Sequence, residues 1–176
     1  QVQLENLCFK NLHPWRYRVL KAALDEQYRV QENNLDKIKE RLDEALVQLN
    51  VIARISTRRK HLWSIYSKVR VKGRLNLVYD IFAIRIIVRS VDDCYRALGV
   101  VHRHLKPIMG CFKDYIAIPK TNGYQSLHTI VFGANNLPVE VQIRTRDMHI
   151  IAEAGAAAHW RYKEVYEHQE HNYDKT

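Results

Sequence analysis

This chain lacks long apolar runs. No stretch reaches membrane-spanning length, and the N-terminus has no signal-peptide pattern, so a membrane is not an expected partner. Cysteine is sparse. Cys8, Cys94 and Cys111 are odd in number and form no C-x-x-C pair, which argues against a disulfide framework. They read as reduced thiols, and the expected location is cytoplasmic. Internal repeats and low-complexity segments are missing too, and His102-x-His104 is followed by no further ligand pattern. The chain opens on Gln1, as a fragment of something larger would. What is present is one domain's worth of sequence: 176 residues, 47% of them apolar, enough for a real core. The net charge of +9 favours an anionic partner, and on charge alone nucleic acid, a membrane surface and nucleotide phosphates all qualify.

The patterning predicts an α+β fold, a mixed sheet of about five strands flanked by helices. A short helix over 4–10 is closed by His13-Pro14. Pro14 then suits the first turn of a helix over about 15–48, with Gln31 to Asn34 as a candidate interruption. Val51 to Ile55 predicts a strand ending at Ser56-Thr57, either of which can cap a helix over 58–71 that Gly73 ends. Ile81 to Val88 is an apolar run broken by Arg85, the mark of a central strand. Val91 to Leu105 is helical, and 109–118 is a loop or short strand. Thr121-Asn122-Gly123 is a turn, and 125–132 and 138–145 are strands joined by a hairpin at Gly133 to Asn136. Asp147 to Lys163 is a final Ala-rich helix, and the tail from Glu164 is polar.

Several polar groups are poor core and good site. Lys60, Ser64 and Lys68 are four apart, so the predicted helix puts them on one face with Arg58 at its mouth, an arrangement suited to a polyphosphate. Asp80 lies at the entry of the central strand and Arg85 within it; a charge there needs a partner or a purpose. Glu140 is the carboxylate of its strand. If that strand neighbours the one at 81, Asp80 and Glu140 can meet and hold magnesium with substrate phosphates. Tyr124 in its turn offers a stacking surface for a base. Ser126, His128, Glu140, Gln142 and Arg144 fall at even spacing, as one sheet face would require.

Six segments together resemble the synthetase domain of the RelA/SpoT stringent-response family. They are Arg58-x-Lys60-x-x-x-Ser64-x-x-x-Lys68, Asp80-Ile-Phe-Ala83-Ile-Arg85, Lys113-Asp114-Tyr115-Ile-Ala117, Pro119-Lys120-x-Asn122-Gly123-Tyr124-Gln125-Ser126-Leu127-His128, Val139-Glu140-Val-Gln142-Ile-Arg144-Thr145 and Ala157-Ala158-His159-Trp160. The likeness runs from Leu4 to Lys163 and is nearest to the SpoT and bifunctional branch. It implies a nucleotidyltransferase-like core. It also implies transfer of the β,γ-pyrophosphate of ATP to the ribose 3′-hydroxyl of GDP or GTP, giving AMP and ppGpp or pppGpp. By resemblance, Arg58 and Arg85 sandwich adenine, and Lys60, Ser64 and Lys68 hold the ATP phosphates. Asp80 binds Mg2+, while Glu140 takes the hydroxyl proton and touches the metal. Tyr124 stacks on guanine, Lys113, Lys120 and His128 face the acceptor phosphates, and Gln142 and Arg144 support the floor.

Two positions depart from the family pattern: Cys111 stands where the SpoT-like branch usually has Arg, and Thr57 where many members have Gly. The family's N-terminal hydrolase domain, with its His-Asp motif, and its C-terminal regulatory domains are expected as further parts of the full-length protein. Residues 1–48 are then N-terminal helices and partly a linker from that hydrolase, 49–165 the synthetase core, and 166–176 a polar tail. A second reading is a weakly active or inactive SpoT-type synthetase domain that regulates the adjoining hydrolase. The chain has no basic-aromatic RNA signature, so direct RNA binding is not expected.

Overall fold

The computed structural model describes residues 2–73, 81–133 and 136–154. Asp80, most of the hairpin turn after Gly133, the Ala157–Trp160 segment and the C-terminal tail lie outside them. In chain order the elements are α1 (Val2–Leu12), α2 (Pro14–Gln48), β1 (Ala53–Arg59), α3 (Leu62–Lys72), β2 (Phe82–Val88), α4 (Val91–His104), β3 (Lys113–Asp114), β4 (Leu127–Phe132), β5 (Pro138–Thr145) and α5 (Arg146–Ala154). The five strands form one mixed sheet in the order β1-β2-β5-β4-β3. Only β2 and β5 run parallel, with Ala83 opposite Glu140; the other neighbours are antiparallel. The strands around 81 and 140 are thus neighbours.

Period-two alternation gives the sheet two unlike faces. Ile84, Ile86, Val88, Leu127, Val131, Val139, Val141 and Ile143 are buried on one face. They form a single core with Leu24, Leu35, Leu42 and Leu46 of α2 and Cys94, Ala97 and Val101 of α4. Burying such a side chain is worth about 1.5–3 kcal/mol, so this face sets the strand register. The opposite face carries Arg58, Ala83, Arg85, His128, Glu140, Gln142 and Arg144 at matching register positions.

The helical termini follow their sequence signals. Pro14 occupies the first turn of α2, which runs unbroken through 31–34. Gly73 closes α3 at φ 78°, a left-handed conformation that costs Gly little. Ser90 caps α4, its hydroxyl accepting from the Asp93 amide at 3.1 Å. His102, part of the His-x-His pair, instead contacts the Thr129 hydroxyl at 2.9 Å.

The β1–α3 boundary differs most from expectation. Helix α3 starts at Leu62, and neither Ser56 nor Thr57 caps it. Residues 56–59 continue β1, pairing with Arg85, Ile84, Ala83 and Phe82 in turn, and the Lys60 amide extends the ladder to the Ile81 carbonyl. Ladder pairing beside a buried central strand outweighs the local capping preference of Ser and Thr. The cap comes from elsewhere: Asn6 of α1 accepts from the Trp63 amide at 3.2 Å. Phe9 stacks on Tyr66 with ring centres 4.4 Å apart, fastening α1 to α3.

Candidate active site

Moving the β1–α3 boundary rearranges the upstream basic series. Arg58 sits on a strand and Lys60 in the connector, while Ser64 and Lys68 alone share the α3 face. The sheet restores the grouping, because Arg58 lies opposite Ala83, which lies opposite Glu140. Arg58, Lys60, His61 and Ser64 line a recess of about 120 Å³ that Glu140 and Gln142 complete. Lys68 stands half-buried one turn beyond Ser64. His61 had no part in the sequence reading, since a helix expected from 58 buries the connector that exposes it.

Glu140 is held by both oxygens. Oε1 contacts His128 Nδ1 at 3.1 Å, and Oε2 accepts from Gln142 Nε2 at 2.9 Å. The β4–β5 register makes this possible, since His128 faces Gln142 across the pair. His128 Nε2 in turn meets the Tyr124 hydroxyl at 2.7 Å. Tyr124 is half-buried rather than exposed in its turn, and burial pushes its hydroxyl pKa up. The turn is built locally: Gly123 adopts φ 74°, its amide donates to the Lys120 carbonyl, and Asn122 Oδ1 accepts from the Tyr124 amide. That places Lys120 Nζ 4.5 Å from the Tyr115 ring centre and 5.1 Å from that of Tyr124.

Lys113 is exposed on β3, opposite His128 in register. Asp114 anchors its segment by accepting from the Ile116 and Ala117 amides and the Tyr95 hydroxyl, at 2.9, 2.8 and 2.9 Å. Burial works against the Asp114 charge, but these hydrogen bonds outweigh it and hold the carboxyl below its ordinary range. Cys111 is half-buried two residues ahead of Lys113.

Arg85 and Arg144 form a further group with a residue sequence reasoning missed. Glu153 Oε1 lies 3.0 Å from Arg85 Nη2 and 3.5 Å from Arg144 Nη2. Arg144 is 2% exposed, and burial together with the Arg85 charge pushes its pKa down. Ser126 departs from the expected floor: it is fully buried, and its hydroxyl donates to the Ile143 carbonyl at 3.1 Å. The described site residues therefore form four adjoining groups. A basic recess lies on the β1 side, a carboxylate on β5, an aromatic-basic cluster toward β3, and the Arg85–Arg144 pair where Glu153 of α5 meets the sheet.

This architecture is the alarmone-synthetase fold. It is similar to the small alarmone synthetase 2 from Bacillus subtilis, with a TM-score of 0.64 and 28% identity, covering 82% of each chain. The small alarmone synthetase 1 of that organism, bound to its product pppGpp, has a TM-score of 0.66 at 23% identity, covering 81% of this chain and 83% of that one; it speaks to fold alone. The profile described as "Region found in RelA / SpoT proteins" matches residues 57–167, and the chain belongs to that family. It is 48% identical over 165 residues to the bifunctional (p)ppGpp synthase/hydrolase SpoT of Escherichia coli K12, covering 93% of this chain and 24% of that protein. It is 46% identical over 166 residues to the probable chloroplastic GTP diphosphokinase RSH3 of Arabidopsis thaliana, covering 93% of this chain and 23% of that one. The chain thus spans about a quarter of the length of these relatives. No described helix is long and apolar enough to cross a membrane.

Proposed function

We propose that this domain is a pyrophosphokinase that moves the β,γ-pyrophosphate of ATP to the ribose 3′-hydroxyl of GDP or GTP. The observation that carries the reading is the placing of Glu140. It stands on β5 with both oxygens oriented by hydrogen bonds, between a basic recess and an aromatic-basic cluster. ATP takes the β1 side: its phosphates meet Lys60, Ser64 and Lys68, and its adenine lies against the flat guanidiniums of Arg58 and Arg85. The acceptor takes the β3 side, with guanine on Tyr124 and phosphates near Lys113, Lys120 and His128. Gln142 and Arg144 support the floor.

Glu140 accepts the 3′-hydroxyl proton, and the resulting oxygen attacks the β-phosphorus of ATP. The bond from that phosphorus to the oxygen bridging to the α-phosphate breaks, and AMP leaves with the bridging oxygen. Two polyanions must be brought together, so alignment and charge neutralisation are the larger part of the catalysis. Glu140 offers hard carboxylate oxygens, the donor type magnesium takes. Magnesium is commonly held by one or two carboxylates, with substrate phosphates and waters completing its shell. Asp80 and Glu140 would hold Mg2+ there, and the ion, when bound, supplies neutralising charge.

The reading extends to a cytoplasmic bacterial protein of the stringent response with hydrolase and regulatory domains beyond this chain. Incubating the domain with labelled ATP and GDP and resolving the products tests it directly. A labelled guanosine tetraphosphate, with AMP in equal amount, is the expected result; AMP and free pyrophosphate without a tetraphosphate would refute transfer to the acceptor. A second reading, a weakly active or inactive synthetase domain that regulates an adjoining hydrolase, is favoured by Cys111, which stands beside the acceptor segment where the SpoT-like branch usually has Arg.

A further inference from the structure

Among the described residues, the Arg85 guanidinium is held at one end by an ion pair. Its side chain is 13% exposed, and its Nε is buried with no hydrogen-bond partner among the described residues. The guanidinium is held at Nη2 by Glu153 of α5 at 3.0 Å. That same Glu153 oxygen lies 3.5 Å from Arg144 Nη2 and 3.9 Å from His149 Nδ1, so one carboxylate serves three nitrogenous groups. Arg85 and His149 also line an open cavity of about 940 Å³ whose walls include Arg54, Arg89, Arg146 and Asp147. The guanidiniums of this wall carry donors and no acceptor, so they cannot orient Arg85 by a hydrogen bond.

A guanidinium that stacks on a purine needs a fixed plane, and Arg carries much rotamer entropy when unrestrained. We propose that Glu153 is a positioning residue of the donor-base subsite, holding the plane of Arg85 for stacking against adenine. The inference rests on the reading that Arg85 contacts adenine. Chain connectivity gives it a second support. Helix α5 begins at Arg146, directly after Thr145 ends β5, so Glu153 and Glu140 belong to one continuous strand-helix unit. The residue that orients the donor base is therefore in fixed register with the carboxylate that serves the acceptor hydroxyl.

The charge of Glu153 alone predicts the opposite behaviour. Removing a negative charge beside a polyanion site should tighten phosphate binding, whereas removing an orienting contact should weaken binding of the base. Two competitive inhibitors separate these effects: adenosine, which has the base and no phosphate, and inorganic tripolyphosphate, which has the phosphates and no base. Their inhibition constants are measured in wild type, Glu153→Gln, Arg85→Ala and the double variant, together with the Michaelis constants for ATP and GDP and a thermal midpoint for each protein.

The expected result is that Glu153→Gln weakens adenosine about fivefold to tenfold, the scale of one ordinary net hydrogen bond to a half-exposed partner. Tripolyphosphate inhibition and the Michaelis constant for GDP stay unchanged. In the double variant the adenosine constant matches that of Arg85→Ala, because Glu153 acts through Arg85. Glu153→Asp keeps the charge, loses the reach and should weaken adenosine as well; it also stands in should Glu153→Gln prove unstable. If Arg85→Ala weakens adenosine while both Glu153 variants behave as wild type, or if the Glu153 and Arg85 effects simply add, the positioning role is overturned. Tighter tripolyphosphate with unchanged adenosine overturns it in favour of charge alone. If Arg85→Ala itself leaves adenosine unchanged, the donor-base reading fails first, and the inference with it.

Discussion

Replacing Glu140 by Gln removes one charge, keeps the side chain's volume and tests the proposed chemistry at its centre. The surroundings can absorb the change. His128 and Gln142 now each give a hydrogen bond to a carboxylate oxygen, at 3.1 and 2.9 Å. An amide in the same place keeps one acceptor oxygen and presents an NH2 to the other neighbour. The Gln142 amide can turn its carbonyl toward that NH2, so the stability cost is on the order of one net hydrogen bond, about 0.5–1.5 kcal/mol. The catalytic cost is much larger. A positioned general base contributes typically 10²–10⁴-fold, about 3–5 kcal/mol of barrier, and a lost metal contact adds to it. The recess formed by Arg58, Lys60 and Ser64 keeps all its cations, so ATP should bind nearly as before. Rapid-quench single turnover with labelled ATP and saturating GDP measures the transfer step, and equilibrium ATP binding with a thermal midpoint provides the controls. A variant that is folded, binds ATP and transfers at most of the wild-type rate would show that Glu140 is not the base.

Tyr124→Ala should raise the Michaelis constant for the guanine nucleotide far more than that for ATP, since base–aromatic stacking is worth roughly 1–3 kcal/mol per base in single-stranded nucleic-acid complexes. Equal effects on both nucleotides in steady-state kinetics would assign the ring to shaping the cleft instead. Wild type should prefer GDP to GTP, and Cys111→Arg should speed transfer, because a charge-assisted bond to phosphate is about twice as strong as a neutral one. The ratio of specificity constants for the two acceptors decides; a wild-type preference for GTP, or no response to the substitution, removes position 111 from the acceptor's surroundings. Asp114→Asn addresses stability. The folded carboxyl is held below its ordinary value, so its contribution is fully present above the unfolded pKa of about 4 and fades as pH falls through the folded one. Urea midpoints should therefore show a gap between wild type and variant at neutral pH that narrows below about pH 4; a pH-independent gap would refute the assignment.

The parts of this fold legible in the sequence are those where pattern and turn chemistry agree. Strand β2 declares itself by a continuous apolar run, and β4 and β5 by alternation around a hairpin. Once that hairpin is drawn, the meeting of His128, Gln142 and Glu140 follows from parity. The β1–α3 boundary was less legible. Ser56 and Thr57 satisfy the rule for a helix cap, and only their pairing with β2, set by residues far along the chain, turns them into strand. The burial of Ser126 has a similar origin, its hydroxyl partner lying on another strand. Glu153 gave no local signal: its helix reads as Ala-rich packing, and its partner Arg85 lies on a distant strand that only the folded sheet brings beside it.

The strand order also carries a consequence for how the molecule comes into being. Strand β5 is the last of the described strands in sequence, yet it lies between β2 and β4 in the middle of the sheet. Before it inserts, the β1–β2 pair and the β3–β4 pair have no shared edge, and two open strand edges face each other. Such edges are prone to mispairing, and closing the long loop between them is slow. On a ribosome the residues proposed for ATP would emerge early, but no half of the site could work alone. The single parallel pairing of β5 with β2 then joins the two sides and delivers Glu140 between them. A nascent or truncated chain that stops short of residue 138 would lack Glu140 and leave strand edges unpaired, so the proposed catalytic competence arrives in one late step rather than by degrees.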